Sequence, residues 1–333
     1  TQAKTLFPYT TLFRSANDIA DAVAALRAGG LVGLPTETVY GLAADADSAE
    51  AVARIYAVKG RPQDHPVIVH IGAADKVLNW ASEFPLYAQQ LAAAYWPGPM
   101  TLILKRGQRA QDFVTGGQDT VGLRVPNHPV ALAVLDAFGG GVAAPSANQF
   151  GAVSPTSAMH VLADLGDRLN ADLDVIIDGG DCEVGVESTI IDCTGDAPRI
   201  LRPGAITVAD IEKATGLAVT THGAELKAPG TLDSHYAPDA SVLLVENEDQ
   251  LTAEVARSAG QGFVGVIAPE IVQTPHGAIR LSMPATNQMY AEELYGALRE
   301  ADRLGLKTVI ALLPEGSDIA VAVRDRLTRA AHG

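Results

Sequence analysis

A lysine and an arginine two residues apart, Lys59 and Arg61, follow a predicted helix and provide the first candidate binding chemistry. A lysine neutralises charge from a mobile stem, whereas an arginine fixes geometry with a planar fork, so the pair suits a polyphosphate. The alternative is that both charges only complement the dipole at the carboxyl end of the helix. Pro62 fixes the backbone after Arg61 and favours the binding interpretation there. His65 and His70 flank the next predicted strand, where a lone histidine is more often structural than catalytic.

Another arginine, Arg124, interrupts an otherwise apolar predicted strand between Leu123 and Val125. An arginine in such a strand is costly unless it is paired. Arg168 is the only other basic residue between positions 110 and 198. The pattern favours a carboxylate or phosphate ligand for Arg124, with an internal ion pair as the alternative.

Short polar segments at the ends of other predicted strands can complete a site, because sheet proteins place function there. The loop 35–42 gathers two hydroxyls, a carboxylate and a phenol, which can bind a small polar ligand or form an ordinary polar turn. The segment 144–148 offers a hydroxyl, an amide and backbone N–H groups, a combination typical of an anion nest. Segments 187–189 and 202–204 open and close two further strands. Their joint placement at strand ends is more informative than any one segment.

The motifs of several common catalytic sites are absent from the sequence. It has no P-loop, no glycine-rich dinucleotide-binding turn, no nucleophile elbow and no H-E-x-x-H zinc motif. The two cysteines, Cys182 and Cys193, are too few for a disulfide framework or a structural zinc site, and they favour a reducing, cytoplasmic location. No run of about 18 residues is apolar enough to predict a membrane span.

The charge balance limits the classes of partner. The chain has 333 residues, with 24 Lys and Arg against 39 Asp and Glu, and a formal net charge of −15. An acidic protein is a poor whole-surface binder of nucleic acid or anionic membrane. Any anionic substrate must therefore lie in a local cationic pocket.

Hydrophobic periodicity places these segments on two α/β units joined by an irregular linker. In the first unit, helices are predicted at 17–29, 48–58 and 129–138, and strands at 31–34, 67–71, 101–104, 120–125, 142–144, 175–177, 188–192 and 199–201. In the second, strands at 242–245, 263–267 and 308–312 alternate with helices at 251–258, 287–304 and 318–330. The expected division is a disordered or foreign tail over 1–16, a catalytic unit over 17–215, a linker over 216–240 and a C-terminal unit over 241–333.

Nine segments, in this order, resemble the threonylcarbamoyl-AMP synthase family. They are PTETVYGL at 35–42, KGRP at 59–62, HPVIVH at 65–70, WPGPMTLIL at 96–104, TVGLRVPNHP at 120–129, APSAN at 144–148, ESTIID at 187–192, LRPGAI at 201–206 and PGTLDSHYAP at 229–238. The resemblance covers about 17–333 and is densest between 31 and 206. It implies an α/β protein with a twisted mixed-sheet YrdC-like N-terminal domain and a small Rossmann-like, doubly wound C-terminal domain.

The resemblance also implies a nucleotidyltransferase reaction in which L-threonine, bicarbonate or CO2, and ATP give threonylcarbamoyl-AMP and pyrophosphate. The residues implied for the catalytic pocket are Lys59, Arg61, Ser146 and Asn148. Those implied for threonine are Thr38, His70, Arg124, Ala144 and Ser188. Those implied for ATP are Lys59, Arg61, His65, Thr120, Ser146, Ser154 and Arg202, with His235 and Tyr236 of the linker closing over the nucleotide. The family often has asparagine where this chain has His65.

The implied partners follow from that reaction. Mg2+ would accompany ATP, no resident metal ion is expected, and the product would pass to the threonylcarbamoyl transferase machinery that modifies tRNA. Direct tRNA binding is expected to be weak or absent. Two alternatives are an RNA-binding module of the same fold without synthase activity, which the net charge disfavours, and a carbamoyl-transfer domain of hydrogenase maturation factors. The latter chains carry zinc-finger cysteine clusters, which two cysteines cannot supply.

Overall fold

Two β-sheets flanked by helices organise the computed structural model, which describes residues 12–221, 229–230, 236–258, 260 and 262–332. The strands are β1 (Phe13–Ser15), β2 (Val32–Leu34), β3 (Gly41–Asp45), β4 (Ile68–His70), β5 (Met100–Lys105), β6 (Thr120–Arg124), β7 (Val142–Ala143), β8 (Val175–Asp178), β9 (Thr189–Asp192), β10 (Arg199–Arg202), β11 (Ser241–Val245), β12 (Val264–Ile267), β13 (Ala278–Ser282) and β14 (Thr308–Leu312). The helices are α1 (Ile19–Arg27), α2 (Ala49–Lys59), α3 (Leu86–Tyr95), α4 (Asp112–Thr115), α5 (Pro129–Phe138), α6 (Ala158–Leu165), α7 (Val208–Thr215), α8 (Glu248–Ser258), α9 (Asn287–Arg303) and α10 (Ala320–Ala330).

The first sheet is mixed, which confirms the expectation for the N-terminal unit. Among the described residues it has ten strands in the order β1-β8-β2-β3-β7-β4-β6-β5-β9-β10. The neighbours β4 and β6 are parallel, and β7 runs antiparallel to β4. Because parallel neighbours end at the same edge of a sheet, His70 and Arg124 stand side by side at the ends of β4 and β6.

Local sequence signals explain how α2 delivers its basic end to this edge. The Ser48 side chain accepts a hydrogen bond from the backbone N–H of Ala51 at 3.2 Å and begins the helix. Gly60 has a φ of 66°, a conformation that favours glycine, and it ends the helix directly after Lys59. The chain therefore turns at a fixed point and carries Arg61 toward the start of β4.

The predicted helices at 17–29, 48–58 and 129–138 are confirmed as α1, α2 and α5, and every predicted strand has a counterpart within a few residues. Among the elements that were not predicted are β3, β13, α4, α6 and α7. The small residues of β3 lack the β-branched and aromatic side chains that indicate a strand. Helix α6 spans only eight residues, too few to display a clear period, although Ser157 caps it.

Residues 12–15, part of the segment expected to be a disordered or foreign tail, pack against the first unit. Leu12 is fully buried in the main core, and β1 pairs in parallel with β8, with Phe13 opposite Ile176. A three-residue edge strand has no period to recognise, so the sequence could not reveal it. Residues 1–11 lie outside the described residues.

The second sheet is parallel and covered by helices on both faces, which confirms the doubly wound expectation. Among the described residues its order is β11-β14-β12-β13. On one face, Leu251 of α8 belongs to the same buried cluster as Ile310. On the other, Leu298 of α9 and Val323 of α10 cluster with Val309. No helix in the described part of the chain is long and apolar enough to cross a membrane.

Helices α9 and α10 also pack against the first unit. Arg299 of α9 forms an ion pair with Asp164 of α6, with Nη2 and Oδ2 2.7 Å apart. Gly185 lies so close to α9 that an added Cβ would stand 2.4 Å from the carbonyl oxygen of Ala291. The two units therefore meet along the segment that leads into β9.

Candidate functional site

A cavity opens where strand ends of the first sheet meet residues of the linker. It encloses about 560 Å³ of empty space, part of it open to solvent. The residues that line it are Thr36, Thr38, Val39, Gly41, Arg61, Ile68, His70, Arg124, Ala144, Pro145, Ser146, Glu187, Ser188, Arg202, Pro229, Gly230 and Tyr236. Most of the predicted segments therefore contribute to one site.

The buried loop between β2 and β3 forms one wall of the cavity. The Thr36 hydroxyl donates to the carbonyl of Val39 at 2.6 Å and lies 2.9 Å from the Thr38 hydroxyl. Tyr40 fixes the end of the loop, because its hydroxyl donates to the carbonyl of Gly180 at 2.8 Å. These hydrogen bonds hold Thr38 at the cavity, although the loop that carries it is neither a helix nor a strand.

Arg124 has an internal counterion and lines the cavity as well. Its Nη2 lies 2.8 Å from Oε2 of Glu37, and both side chains are buried. Its Nη1 donates to the Thr38 hydroxyl at 2.8 Å, and its Nε donates to the carbonyl of Gly98 at 3.3 Å. The ion pair that the sequence left open as an alternative is therefore present. Because the guanidinium also faces the cavity, an anionic ligand can share it.

His70 stands beside Arg124 as a neutral imidazole. Burial, together with the adjacent Arg124 guanidinium, lowers the pKa of His70 to about 3. Its Nδ1 has no hydrogen-bond partner within the described residues. At neutral pH this side chain can donate or accept a hydrogen bond, but it carries no positive charge.

Lys59 and Asn148 support the loop that carries Ser146. The Lys59 ammonium donates to the carbonyls of Ser146 and Asn148 at 2.6 and 2.5 Å. Burial, and the charge of Arg61, lower the pKa of Lys59 well below its usual value. The Asn148 amide donates to the carbonyl of Ala152 at 2.8 Å. Ser146 is thereby held at the cavity, while Lys59 and Asn148 lie behind it.

Arg61 reaches the cavity from the connection between α2 and β4. Its Nη2 donates to the carbonyl of Pro66 at 2.7 Å, and its centre lies 5.9 Å from the ring of Phe150. The buried Nε has no hydrogen-bond partner in the described part of the chain. A donor held in this way can serve an anionic ligand. His65 lies edge-on to the same Phe150 ring, with the two ring centroids 5.6 Å apart.

Arg202, the last residue of β10, forms hydrogen bonds both to the residue before β9 and to the linker. Its Nη2 donates to the carbonyl of Ser188 at 2.9 Å, and its Nη1 donates to the carbonyl of Pro229 at 3.0 Å. The Ser188 hydroxyl lies 2.8 Å from that of Thr101 on β5. The position of Arg202 therefore depends on where Ser188 and the linker lie.

Glu187 is a cavity residue to which sequence reasoning assigned no role. Its carboxylate accepts hydrogen bonds from Ser154 at 2.5 Å, from Tyr295 of α9 at 2.9 Å and from Nε of Arg326 of α10 at 2.7 Å. Burial alone would raise the pKa of Glu187, but Arg326 and Arg202 lower it to about 2. The two helical partners lie more than a hundred positions along the chain, so no local pattern could reveal them.

Tyr236 brings the linker onto the cavity. It is buried and has a φ of 63°, which is uncommon for a residue other than glycine. Its ring centroid lies 5.8 Å from that of Tyr295, and the Arg326 guanidinium lies 5.3 Å from it. Its hydroxyl stands so close to Gly230 that an added Cβ there would lie 2.0 Å away.

The structure brings nine predicted residues to the cavity, namely Thr38, Arg61, His70, Arg124, Ala144, Ser146, Ser188, Arg202 and Tyr236. Lys59, His65 and Asn148 lie behind its walls. Ser154 is fully buried, and its hydroxyl is directed to Glu187. Thr120 does not reach the cavity, because it begins β6 and Arg124 ends that strand ~13 Å away. His235 lies outside the described residues.

Comparisons with known proteins agree with this architecture. A family model described as "Telomere recombination" (Sua5_yciO_yrdC) matches residues 24–204, and one described as "Threonylcarbamoyl-AMP synthase, C-terminal domain" matches residues 206–332. The threonylcarbamoyl-AMP synthase of Pyrococcus abyssi is 39% identical over 317 residues, which span 92% of this chain and 91% of that protein. The chain belongs to the threonylcarbamoyl-AMP synthase family. The family member from Bacillus subtilis is 38% identical over 332 residues, 96% of this chain and 95% of its own.

A solved structure of the family has the same fold over nearly the whole chain. The crystal structure of P. abyssi Sua5 complexed with L-threonine has a TM-score of 0.89 and 37% identity, and covers 96% of this chain and 97% of its own. Membership in the threonylcarbamoyl-AMP synthase family confirms the resemblance drawn from the nine segments. The two family models meet between residues 204 and 206, directly after Arg202.

Proposed function

We propose that this chain forms threonylcarbamoyl-AMP and pyrophosphate from L-threonine, bicarbonate or CO2, and ATP. The observation that carries the proposal is that three buried arginines, Arg61, Arg124 and Arg202, line one cavity of a chain whose net charge is −15. Such a cavity suits a small substrate set with several anionic groups. The relative solved with L-threonine supports the choice of amino acid.

The Arg124 side of the cavity would bind threonine. Its guanidinium would pair with the substrate carboxylate, and the hydroxyls of Thr38 and Ser188 can form hydrogen bonds with the polar groups of threonine. The threonine amine must be unprotonated to attack CO2. A neutral His70 beside it adds no positive charge that would oppose substrate binding, and it can hold a polar group of threonine through a hydrogen bond.

The side of the cavity formed by Arg61, Ser146 and Arg202 would bind ATP. Arg61 offers its buried Nε, and Arg202 stands where β10 meets the linker. Among the described residues that line the cavity, Glu187 is the one carboxylate, and Arg326 neutralises it. The triphosphate would therefore meet positive potential with little opposition from acidic groups.

The reaction needs positioning and charge neutralisation rather than a protein nucleophile. The threonine amine forms a C–N bond to CO2 and loses a proton, which gives a carbamate. A carbamate oxygen then attacks the α-phosphorus, and the bond from that phosphorus to pyrophosphate breaks. Arginines at the cavity would stabilise the charge that develops on the phosphates. Tyr236 would limit access of water to the short-lived carbamate.

Mg2+ would enter the cavity with ATP. Within the described residues no group of three or more His, Cys, Asp or Glu side chains could hold a metal ion. The ligands of Mg2+ would then be phosphate oxygens and water, as is usual for this ion with nucleotides. Its contribution there would be neutralisation of triphosphate charge.

The synthase function accounts for the cavity better than an RNA-binding module does. Recognition of RNA backbone uses an extended basic surface, whereas the arginines of this site are buried around a small space. We propose that the product leaves for a separate tRNA threonylcarbamoyl transferase. The cytoplasmic location stays a prediction from the cysteine count.

Pyrophosphate release from ATP tests the function directly. Release is expected only when threonine and bicarbonate are supplied together, and not with either one alone. Arg61→Ala is expected to abolish it, whereas Arg257→Ala, at an exposed position of α8, serves as a matched control with unchanged release. Release that does not depend on threonine and bicarbonate, or that survives Arg61→Ala, would contradict the proposal.

A further inference from the structure

Two side chains of the C-terminal unit reach the wall of the cavity. Tyr295 extends from α9 and Arg326 from α10, and both are fully buried. Each touches two cavity residues that belong to different segments. Both bond the carboxylate of Glu187, and both lie against the ring of Tyr236.

The contact with Glu187 fixes the start of β9. Arg326 donates Nε to the Glu187 carboxylate at 2.7 Å and Nη2 to the carbonyl of Pro203 at 3.0 Å. One guanidinium thus holds the residue before Ser188 and the residue after Arg202. Because Arg202 itself bonds the Ser188 carbonyl, the position of that cavity arginine depends on Arg326.

The contact with Tyr236 fixes the linker. The Arg326 guanidinium over the ring is a cation–π arrangement at 5.3 Å, and the Tyr295 ring is tilted against it at 5.8 Å. Tyr236 adopts an uncommon backbone conformation, which persists only where its surroundings determine it. The C-terminal unit provides those surroundings.

We propose that Arg326 and Tyr295 are positioning residues for nucleotide binding, which seat Tyr236 and hold Arg202 through Glu187. The C-terminal unit is thereby required in the same chain to complete the ATP side of the cavity. Within the described residues, Arg124 and Thr38 on the threonine side receive no contact from either residue, and the hydroxyl of Ser188 is held independently by that of Thr101 at 2.8 Å. This inference rests on the proposed assignment of ATP to the Arg61 and Arg202 side.

The predicted consequence is a selective loss of nucleotide affinity. Arg326→Lys keeps the charge but loses the planar fork that contacts Glu187, Pro203 and the Tyr236 ring together. The dissociation constant for an ATP analogue with a methylene group between the α- and β-phosphorus is expected to rise about tenfold, which corresponds to about 1.4 kcal/mol. The dissociation constant for threonine is expected to change less than about twofold.

A double-mutant cycle separates seating of Tyr236 from general stability. If Arg326 acts through Tyr236, Arg326→Lys is expected to weaken analogue binding much less in a Tyr236→Ala background than in the wild-type chain. Tyr295→Leu, which removes the facing ring and the bond to Glu187 without burying a new charge, is expected to behave in the same way. The Tyr295→Leu variant can therefore replace Arg326→Lys in the cycle if Arg326→Lys fails to fold.

Arg299→Lys is the matched control. Arg299 is likewise an arginine of the C-terminal unit that bonds a carboxylate of the first unit, but its partners are Asp164 and the backbone carbonyls of Val153 and Ser154, and no contact with Glu187 or Tyr236 is found among the described residues. It is expected to lower the unfolding temperature while analogue affinity stays within about twofold.

Equal losses of analogue affinity in the two backgrounds would overturn the seating of Tyr236 by Arg326, and parallel losses for analogue and threonine would overturn the assignment of both residues to the nucleotide side. Calorimetric binding of the analogue needs no turnover. The inference is therefore judged separately from the synthase reaction, which is judged by pyrophosphate release.

Discussion

Nη2 of Arg124 lies 2.8 Å from Oε2 of Glu37, and the two buried side chains form an ion pair inside the cavity wall. Glu37→Gln removes the anion and leaves a buried guanidinium uncompensated, which is expected to lower the free energy of unfolding by about 3–5 kcal/mol. The carboxylate of threonine would then supply the missing negative charge. Saturating threonine is therefore expected to raise the urea midpoint of Glu37→Gln by more than it raises that of the wild type.

Threoninamide provides the control for that prediction, because it keeps the side chain and amine but has no carboxylate. It is expected to give neither protein the additional stabilisation. A similar gain from threonine and from threoninamide would show that Arg124 does not pair with the substrate carboxylate.

The neutral state of His70 predicts a pH dependence of stability. Its pKa is about 3 in the folded protein against 6.5 for an unperturbed histidine, so between these values the unfolded chain binds one more proton than the folded chain. Stability then rises with pH across this window and falls on acidification. His70→Gln is expected to reduce the slope of unfolding free energy between pH 5 and 6 by about 1 kcal/mol per pH unit. Identical slopes in urea titrations would contradict the buried neutral imidazole.

The elements around the site were largely predictable because their signals are local. Ser48 and Gly60 mark the two ends of α2, and the apolar residues on both sides of Arg124 mark β6. Strand β1 was not predictable, since its place beside β8 depends on a partner more than 150 positions away. Strand β3 was missed for a different reason, because its small residues lack the β-branched and aromatic side chains that indicate a strand.

The roles of site residues were less predictable than their positions. The sequence indicates that Lys59 and Arg61 share a site, but only packing shows that Arg61 reaches the cavity while Lys59 bonds carbonyls behind it. Ser154 was expected at ATP, and the structure directs its hydroxyl to Glu187. That carboxylate gains its partners from the C-terminal helices, which a reading of the catalytic segments alone cannot include.

Replacing the buried side chain of Lys59 is expected to lower both the stability of the fold and the affinity for the ATP analogue. Lys59→Met keeps the stem but removes the donor to the carbonyls of Ser146 and Asn148, each of which costs about 1–3 kcal/mol when left unsatisfied. We expect a lower unfolding temperature and weaker binding of the ATP analogue, because Ser146 is no longer held. Lys105→Met, at an exposed ion pair with Glu83, is expected to leave both measurements close to wild type. Wild-type analogue affinity in Lys59→Met would contradict the supporting role.

Because Gly185 lies directly against α9, adding a single methyl group at this position is expected to shift the packing between the two units. Gly185 and Gly139 share a φ of 76°, so alanine at either position meets the same backbone strain, about 1–2 kcal/mol. At Gly139 an added Cβ meets nothing within 4 Å, whereas at Gly185 it stands 2.4 Å from the Ala291 carbonyl oxygen and must displace α9. Since α9 carries Tyr295, Gly185→Ala is expected to cost more stability than Gly139→Ala and also to weaken binding of the ATP analogue. Equal unfolding free energies for the two variants, measured in urea, would mean that the packing of α9 on this segment does not hold the cavity in place.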